Sequence, residues 1–300
     1  MPTAFLFPGQ GSQYVGMGRE FYDREPVARA LFDEADRQLG FPLSALCFEG
    51  PEEALTDTAV QQPALFTTSL AAWAVAGQRG QARADYVAGH SLGEFSALAA
   101  AGAISFGDGL ALVRRRGELM KLAGQRNPGG MAAVLGLDAG PVAKLCARVA
   151  AGSGQYVGIA NDNCPGQIVI SGHEEALADA IDLLQNAGAR KVVRLPISIA
   201  AHTPLMGAVA GEFAEAVAST ELAEAHIPLV ANVTARPIRS AGDIRDELNA
   251  QLTSPVAWTD SIRFLGTQGV DRYVETGPGD VLLGLVKRID REAQRARFEI

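Results

Sequence analysis

The pentapeptide Gly89-His90-Ser91-Leu92-Gly93 has the form G-x-S-x-G. It lies between a short apolar run, Tyr86 to Ala88, and a helical stretch that starts near Ser91 and continues through Ala101. A strand–turn–helix context is the one a nucleophile elbow requires. Such a turn forces the serine into a strained backbone conformation, so its flanks must be small, and Gly89 and Gly93 meet that need. The helix N-terminus behind Ser91 also favours a developing negative charge. The chemistry on offer is acyl transfer through a serine ester. The same five residues also describe an ordinary Gly-rich turn with a helix-capping serine, so the rest of the chain has to decide.

A serine hydroxyl needs a base. The chain has four histidines. His90 is inside the elbow and points away from Ser91 in a normal turn. His173 lies in the first turn of an amphipathic helix, and His226 precedes an apolar run as a half-buried histidine would. His202 follows the strand-like LPISIA and opens the helix-like TPLMGAVAGEF, which leaves it as the best base by elimination; a core or capping histidine is the plain alternative. No acid stands out as a third triad member among Asp243, Asp246, Asp260, Asp271 and Asp280, so a Ser–His dyad with His202 held by a backbone carbonyl is compatible with the pattern. An oxyanion hole needs two N–H donors. Leu92, directly after the nucleophile, supplies one, and the loop around Gln10, which leaves the first strand, can supply the other.

Positioning these groups calls for an α/β architecture, because strand-like runs alternate with helical patterns. Thr3 to Phe7 reads as a first strand, ended by Pro8 and GQGSQ. Gln61 to Ala76 and Gly107 to Ala123 read as helices. Asn127-Pro128-Gly129-Gly130 breaks the chain. Beyond it come a strand (Met131 to Leu137), a helix (Pro141 to Ala151), two strands (Tyr156 to Ala160 and Gln167 to Ile170) joined by NDNCPG, a helix (Glu174 to Ala187) and a strand (Arg190 to Leu195). Ser171 and Glu174 fit a capping box for that second helix, and Gly188 stops it. The order β-α-β-β-α-β is ferredoxin-like. The expected organisation is a large α/β-hydrolase-like domain with a parallel sheet, from residues 1–128 and 197–300, with a small ferredoxin-like domain, 129–196, inserted into it. The charged tail after Ile289 is expected to fray.

Composition narrows the function. With 300 residues, 48% of them hydrophobic, the chain can bury a sizeable core, and a formal charge of -8 argues against a nucleic-acid binder. An acidic partner would need a local basic patch; Arg114–Arg116 and Arg190–Lys191 are the candidates. Cys47, Cys146 and Cys164 have no metal-ligand or disulfide spacing. No run reaches about 20 apolar residues, and the N-terminus lacks a signal-peptide pattern. A soluble cytoplasmic protein without membrane attachment is expected.

Several longer motifs occur in one order: FPGQGSQ, QPALF, GHSLGEFSAL, RRGELM, NDNCPGQIVISG, PISIAAH, QLTSPVAW and ETGPG. In these, from Phe5 to about Ile289, the chain resembles the malonyl-CoA:acyl carrier protein transacylases and the similar free-standing acyltransferases of polyketide synthesis. The resemblance implies that Ser91 is the acylated nucleophile, His202 its base, and the amides of Gln10 and Leu92 the oxyanion hole. It implies further that the Gln251 main-chain carbonyl orients His202 and that Arg116 binds the free carboxylate of a malonyl group, a planar guanidinium being suited to a carboxylate. Arg114 and Arg115 are then helix-surface residues. Malonyl-CoA and an acyl carrier protein are the implied partners, with no cofactor or metal and a monomeric chain. The tetrapeptide Ile199-Ala200-Ala201-His202 departs from the family's malonyl (His-Ala-Phe-His) and methylmalonyl (Tyr-Ala-Ser-His) patterns, so Ala201 leaves the selectivity for the C2 substituent open, while Leu92 leans toward malonyl. Fatty-acid and polyketide supply both fit. The rival enzyme class is a serine hydrolase acting on acyl thioesters, against which Arg116 and the absent triad acid count. A non-catalytic carrier-docking module is disfavoured by the intact Ser91, His202 and Arg116.

Overall fold

A computed structural model describes residues 2–299. The larger sheet has six strands, β1 (Thr3–Phe7), β2 (Tyr86–Gly89), β7 (Leu229–Val230), β8 (Pro237–Ile238), β9 (Arg272–Glu275) and β10 (Gln294–Arg297), in the order β10-β9-β1-β2-β7-β8. All neighbours are parallel except β7 and β8. β1 reads TAFLF and is buried along its whole length, as expected for a strand with helices on both faces. Helix Thr58–Gln78 is buried on almost every side and forms the spine of one face with Gly93–Ala100 and Phe106–Arg126. Trp258–Thr267 and Val281–Ile289 cover the other face. In an open parallel sheet, the carboxyl ends of the strands are where sites form; here those ends are Phe7, Gly89 and Glu275.

The second sheet contains β3 (Gly129–Leu135), β4 (Val157–Cys164), β5 (Gln167–His173) and β6 (Lys191–Arg194), antiparallel throughout in the order β4-β5-β3-β6. With helices Ala139–Ser153 and Glu174–Asn186 this is a ferredoxin-like unit. Strand alternation gives the sheet two distinct faces. Ala132, Val134, Ile168 and Ile170 pack under the two helices. Met131 and Val169 point the other way and join the core of the larger unit. The edge strand β4 is tied to the larger unit through Val256, whose carbonyl accepts from the Asp162 amide and whose amide donates to Ala160.

Several expectations need correction. The tail after Ile289 is not frayed: residues 294–297 form β10 on the edge of β9. Its charged side chains hide a strand that is paired to β9 through the backbone, with Ala296 packed on the main core and Ala293 and Phe298 buried on either side of it. The NDNC of NDNCPG is not a loop but the end of β4, irregularly paired to β5 with register shifts after Ile159 and Asp162. LPISIA is not a strand; β6 ends at Arg194. The capping box is absent as well. Ser171 lies within β5 with its hydroxyl buried and unpartnered, and His173 is the N-cap residue of the helix. The Arg114–Arg116 patch does not exist as a patch: Arg116 is buried, while Arg114 pairs with Glu118 and Arg115 with Glu212.

Candidate active site

The turn after β2 places Ser91 with φ 52°, in the left-handed region that costs a non-glycine residue strain. The two flanking glycines have a steric reason. A Cβ on Gly93 would stand 2.0 Å from the Phe7 carbonyl oxygen, and one on Gly89 would stand 1.9 Å from Gly93 itself. The helix proper begins at Gly93, so Ser91 is in the turn before it. Asn232, just past β7, clamps the elbow: its Oδ1 accepts from the Ser91 amide at 2.7 Å and its Nδ2 donates to the Gly89 carbonyl at 2.7 Å.

Ser91 Oγ lies 2.7 Å from His202 Nε2. His202 also has a left-handed backbone, φ 58°. Its Nδ1 is 3.0 Å from the Gln251 main-chain oxygen. A carbonyl only accepts, so Nδ1 carries the proton and Nε2 offers its lone pair to the serine hydroxyl. Burial, reinforced by the nearby Arg116 charge, holds the imidazole pKa down to about 3, which keeps it neutral. The other histidines stay outside this pair. His90 Nε2 sits 2.8 Å from Asn163 Oδ1 and its ring packs on Trp258. His173 accepts from the Tyr156 amide, and the His226 ring lies beside Gly102.

Arg116 is 1% exposed. Its Nη2 donates to Ser91 Oγ at 3.1 Å and to Gln251 Oε1 at 2.9 Å, and its Nη1 donates to Gln62 Oε1 at 2.9 Å. The guanidinium lies 5.4 Å from the Phe95 ring centroid, and its Nε is buried without a partner. Among the described residues no carboxylate comes within ion-pair distance of it. Burial lowers its pKa to about 10, still a cation at neutral pH, with the Glu94 charge acting the other way. Neither the Leu92 nor the Gln10 amide donates to another described group. Gln10, Ser91, Ala201 and His202 all line one cavity of 240 Å³. Its opposite wall is the inner face of the small sheet, with Met131, Ala133, Asn161, Asn163, Gln167 and Val169. A larger groove of 650 Å³ runs beside β9 and β10 from Arg272 to Arg297, and holds no nucleophile–base pair.

All seven residues expected at the site are therefore brought to it: Ser91, His202, Arg116 and Gln251 in one hydrogen-bonded set, and Gln10, Leu92 and Ala201 around it. Sequence reasoning missed Asn232, Gln62, Asn163 and Glu94. Three of these stand inside the quoted motifs QPALF, NDNCPGQIVISG and GHSLGEFSAL, so the motifs were seen and the individual roles were not. Glu94 carries the strongest signal: a carboxylate in the apolar helix GEFSALAA, fully buried in the structure.

A neutral histidine on a serine at a strand–helix elbow, backed by free amides and a buried cation, defines an acyl-transferring serine enzyme. Comparison with known proteins narrows the class. The acyl transferase domain model matches residues 4–297, and the chain belongs to that family, among its malonyl CoA-acyl carrier protein transacylases. It is 46% identical over 288 residues to the transacylase of that name from Bacillus subtilis, covering 96% of this chain and 90% of the relative. The Salmonella typhimurium protein of the same name is 45% identical, with 95% and 92% covered. The structure of the transacylase from Coxiella burnetii superposes with a TM-score of 0.96 at 37% identity, over 99% of this chain and 94% of that one. A malonyl-transacylase solved in complex with its type II PKS acyl-carrier protein gives 0.95 at 40%, over 99% and 95%.

Proposed function

We propose that this enzyme moves a malonyl group from coenzyme A to the phosphopantetheine thiol of an acyl carrier protein by a ping-pong route through Ser91. The observation that carries this reading is Arg116: a buried cation 3.1 Å from the nucleophile and bonded only to neutral acceptors. Such a group lacks a carboxylate, and malonyl-CoA brings one to within reach of the reacting carbonyl.

In the first half-reaction His202 Nε2 takes the Ser91 proton while Oγ attacks the thioester carbon. The oxyanion is received by the Leu92 and Gln10 amides, neither of which donates to another described group. The tetrahedral adduct collapses, and the imidazolium protonates the departing sulfur. In the second half-reaction the carrier thiol gives its proton to His202 and attacks the acyl-serine carbon, and Ser91 recovers its proton. The malonyl carboxylate pairs with Arg116 throughout, so the acyl group is held while the thiols exchange. The small sheet, which walls the cavity, limits water around the ester. These steps use no metal or redox cofactor. The site suits a malonyl unit destined for fatty acids or for polyketides equally. We further propose a cytoplasmic, monomeric enzyme; the three buried, unpaired cysteines fit a reducing compartment.

The test is intact-mass and peptide analysis after incubation with malonyl-CoA alone, then with holo carrier protein. A malonyl adduct on Ser91 that discharges onto the carrier is expected, with no adduct in Ser91→Ala. Free malonate released without carrier and without an adduct would establish the hydrolase instead.

A further inference from the structure

The charge of Arg116 has to be balanced somewhere, since an isolated buried cation is costly. The balance runs through the Gln251 side chain. Gln251 Oε1 accepts from Arg116, while its Nε2 donates to Glu94 Oε2 at 2.6 Å and to the Ser91 carbonyl at 2.9 Å. The other Glu94 oxygen accepts from the Asn232 amide at 2.8 Å. Glu247 lies near enough to Glu94 for its charge, second to burial, to raise the Glu94 pKa, and it accepts from the Val233 amide at 2.9 Å. Burial pushes the pKa of both acids up, while the two N–H donors that Glu94 receives favour its ionised form. The Glu94 carboxyl group is separated from the guanidinium by one neutral amide.

We propose that the Gln251 amide, held in one orientation by Glu94, is the positioning device that keeps Arg116 charged and aimed at the Ser91 hydroxyl yet unpaired, so that a substrate carboxylate meets no competing protein carboxylate. The inference rests on the reading of Arg116 given above. A glutamate in direct contact with Arg116 would stabilise the cation equally well but would have to be displaced by every incoming malonyl group. An amide held by nothing could turn, setting its own N–H groups against the guanidinium. The Glu94 carboxyl and the Ser91 carbonyl both accept at the Nε2 end, so the oxygen end is left for Arg116. Here Gln251 does two jobs, with its main chain on His202 and its side chain on Arg116. Glu94 reaches the substrate only through it.

The prediction concerns selectivity, read as the ratio of kcat/KM for malonyl-CoA to that for acetyl-CoA, with acylation of Ser91 followed by intact mass. Gln251→Met keeps the main-chain carbonyl on His202 and removes the amide. It is expected to lower the ratio about tenfold or more, the loss expected for one hydrogen bond to a charged group, mainly through the malonyl-CoA KM. Glu94→Gln puts an amide N–H against one of the two donors that Glu94 now receives and should also lower the ratio. The double variant should lower it no further than the larger single effect, because both act along one chain. Equal losses for both acyl groups in Gln251→Met, or effects that multiply in the double variant, overturn the proposal. Arg116→Ala separates the two readings. If the ratio survives in Arg116→Ala, the reading of Arg116 itself is wrong. If it collapses there and survives in Gln251→Met, the spacer alone is wrong. Should Glu94→Gln fail to fold, Gln251→Met set against Arg116→Ala still decides.

Discussion

Replacing Gly93 by alanine tests whether the elbow is held by close approach of the backbone. The added methyl carbon would stand 2.0 Å from the Phe7 carbonyl oxygen, 2.7 Å from the Phe7 carbonyl carbon and 2.9 Å from the Pro8 oxygen. All three are main-chain atoms, and Phe7 is paired to Gly89 in the middle of the main sheet. No side chain can swing aside. Restoring an ordinary contact of about 3.4 Å requires a retreat of roughly 1.4 Å, taken by helix Gly93–Ala100 and the turn before it. Ser91 is two residues away, and its 2.7 Å contact with His202 would open beyond hydrogen-bonding distance. A displacement of about 1 Å at a reacting group is worth on the order of 10²-fold in rate, and overpacking of this kind costs about 1–3 kcal/mol, several degrees in Tm. The assay is the rate of Ser91 malonylation by intact mass, beside Tm by calorimetry. Gly211→Ala serves as the control: this exposed helical glycine has nothing within 4 Å of the added carbon, and the variant should keep full activity and gain up to about 1 kcal/mol from helix propensity. A Gly93→Ala enzyme with the parental acylation rate refutes the argument.

Arg116→Ala should lower malonyl kcat/KM by about 10²–10³-fold, the roughly 3–5 kcal/mol lost when one partner of a buried ion pair is removed, while acetyl transfer is kept or improved; equal losses would make Arg116 a support of the fold. His202→Ala should slow acylation by several orders of magnitude. With a folded pKa near 3 against the ordinary 6.5, His202 remains a base well below neutrality, so the acid limb of kcat/KM should not appear at pH 6.5, and a limb centred there contradicts the burial argument. The sign for stability follows: His202 is neutral when folded and charges when unfolded, so its contribution is complete above pH 6.5 and declines as pH falls toward 3. Ala201→Phe should suppress methylmalonyl transfer in a two-substrate competition while holding the malonyl rate within about tenfold, since one methyl in a pocket is worth about 1–3 kcal/mol; a parental enzyme with no methylmalonyl transfer at all would mean other residues close the cavity beside Ala201.

The amino-acid sequence alone located the elbow, because two glycines and a serine between a strand and a helix are a local pattern, although the contacts that demand Gly93 and clamp the turn come from the distant Phe7 and Asn232. It also determined the α/β class and the β-α-β-β-α-β segment, whose periodicities are long enough to read. Resemblance added Arg116 and Gln251, which no spacing argument had singled out. A positional signal for Arg116 exists, since Leu112, Arg116, Leu119, Met120 and Ala123 lie on one buried helix face, but three consecutive arginines differ only in which way they point. The tertiary structure decided what depends on distant segments. β7 and β8 are two residues each, too short to show a period, and β10 presents a single apolar residue, Ala296, among Gln294, Arg295 and Arg297, too little to read as a strand although Ala296 packs on the core. Irregular pairing sends the polar NDNC strand into the cavity wall. The balance of charge around Ser91 joins residues 62, 94, 116, 232, 247 and 251, from separate elements. An electrostatic network of this kind is set by distance and burial in space, and adjacency along the chain carries neither.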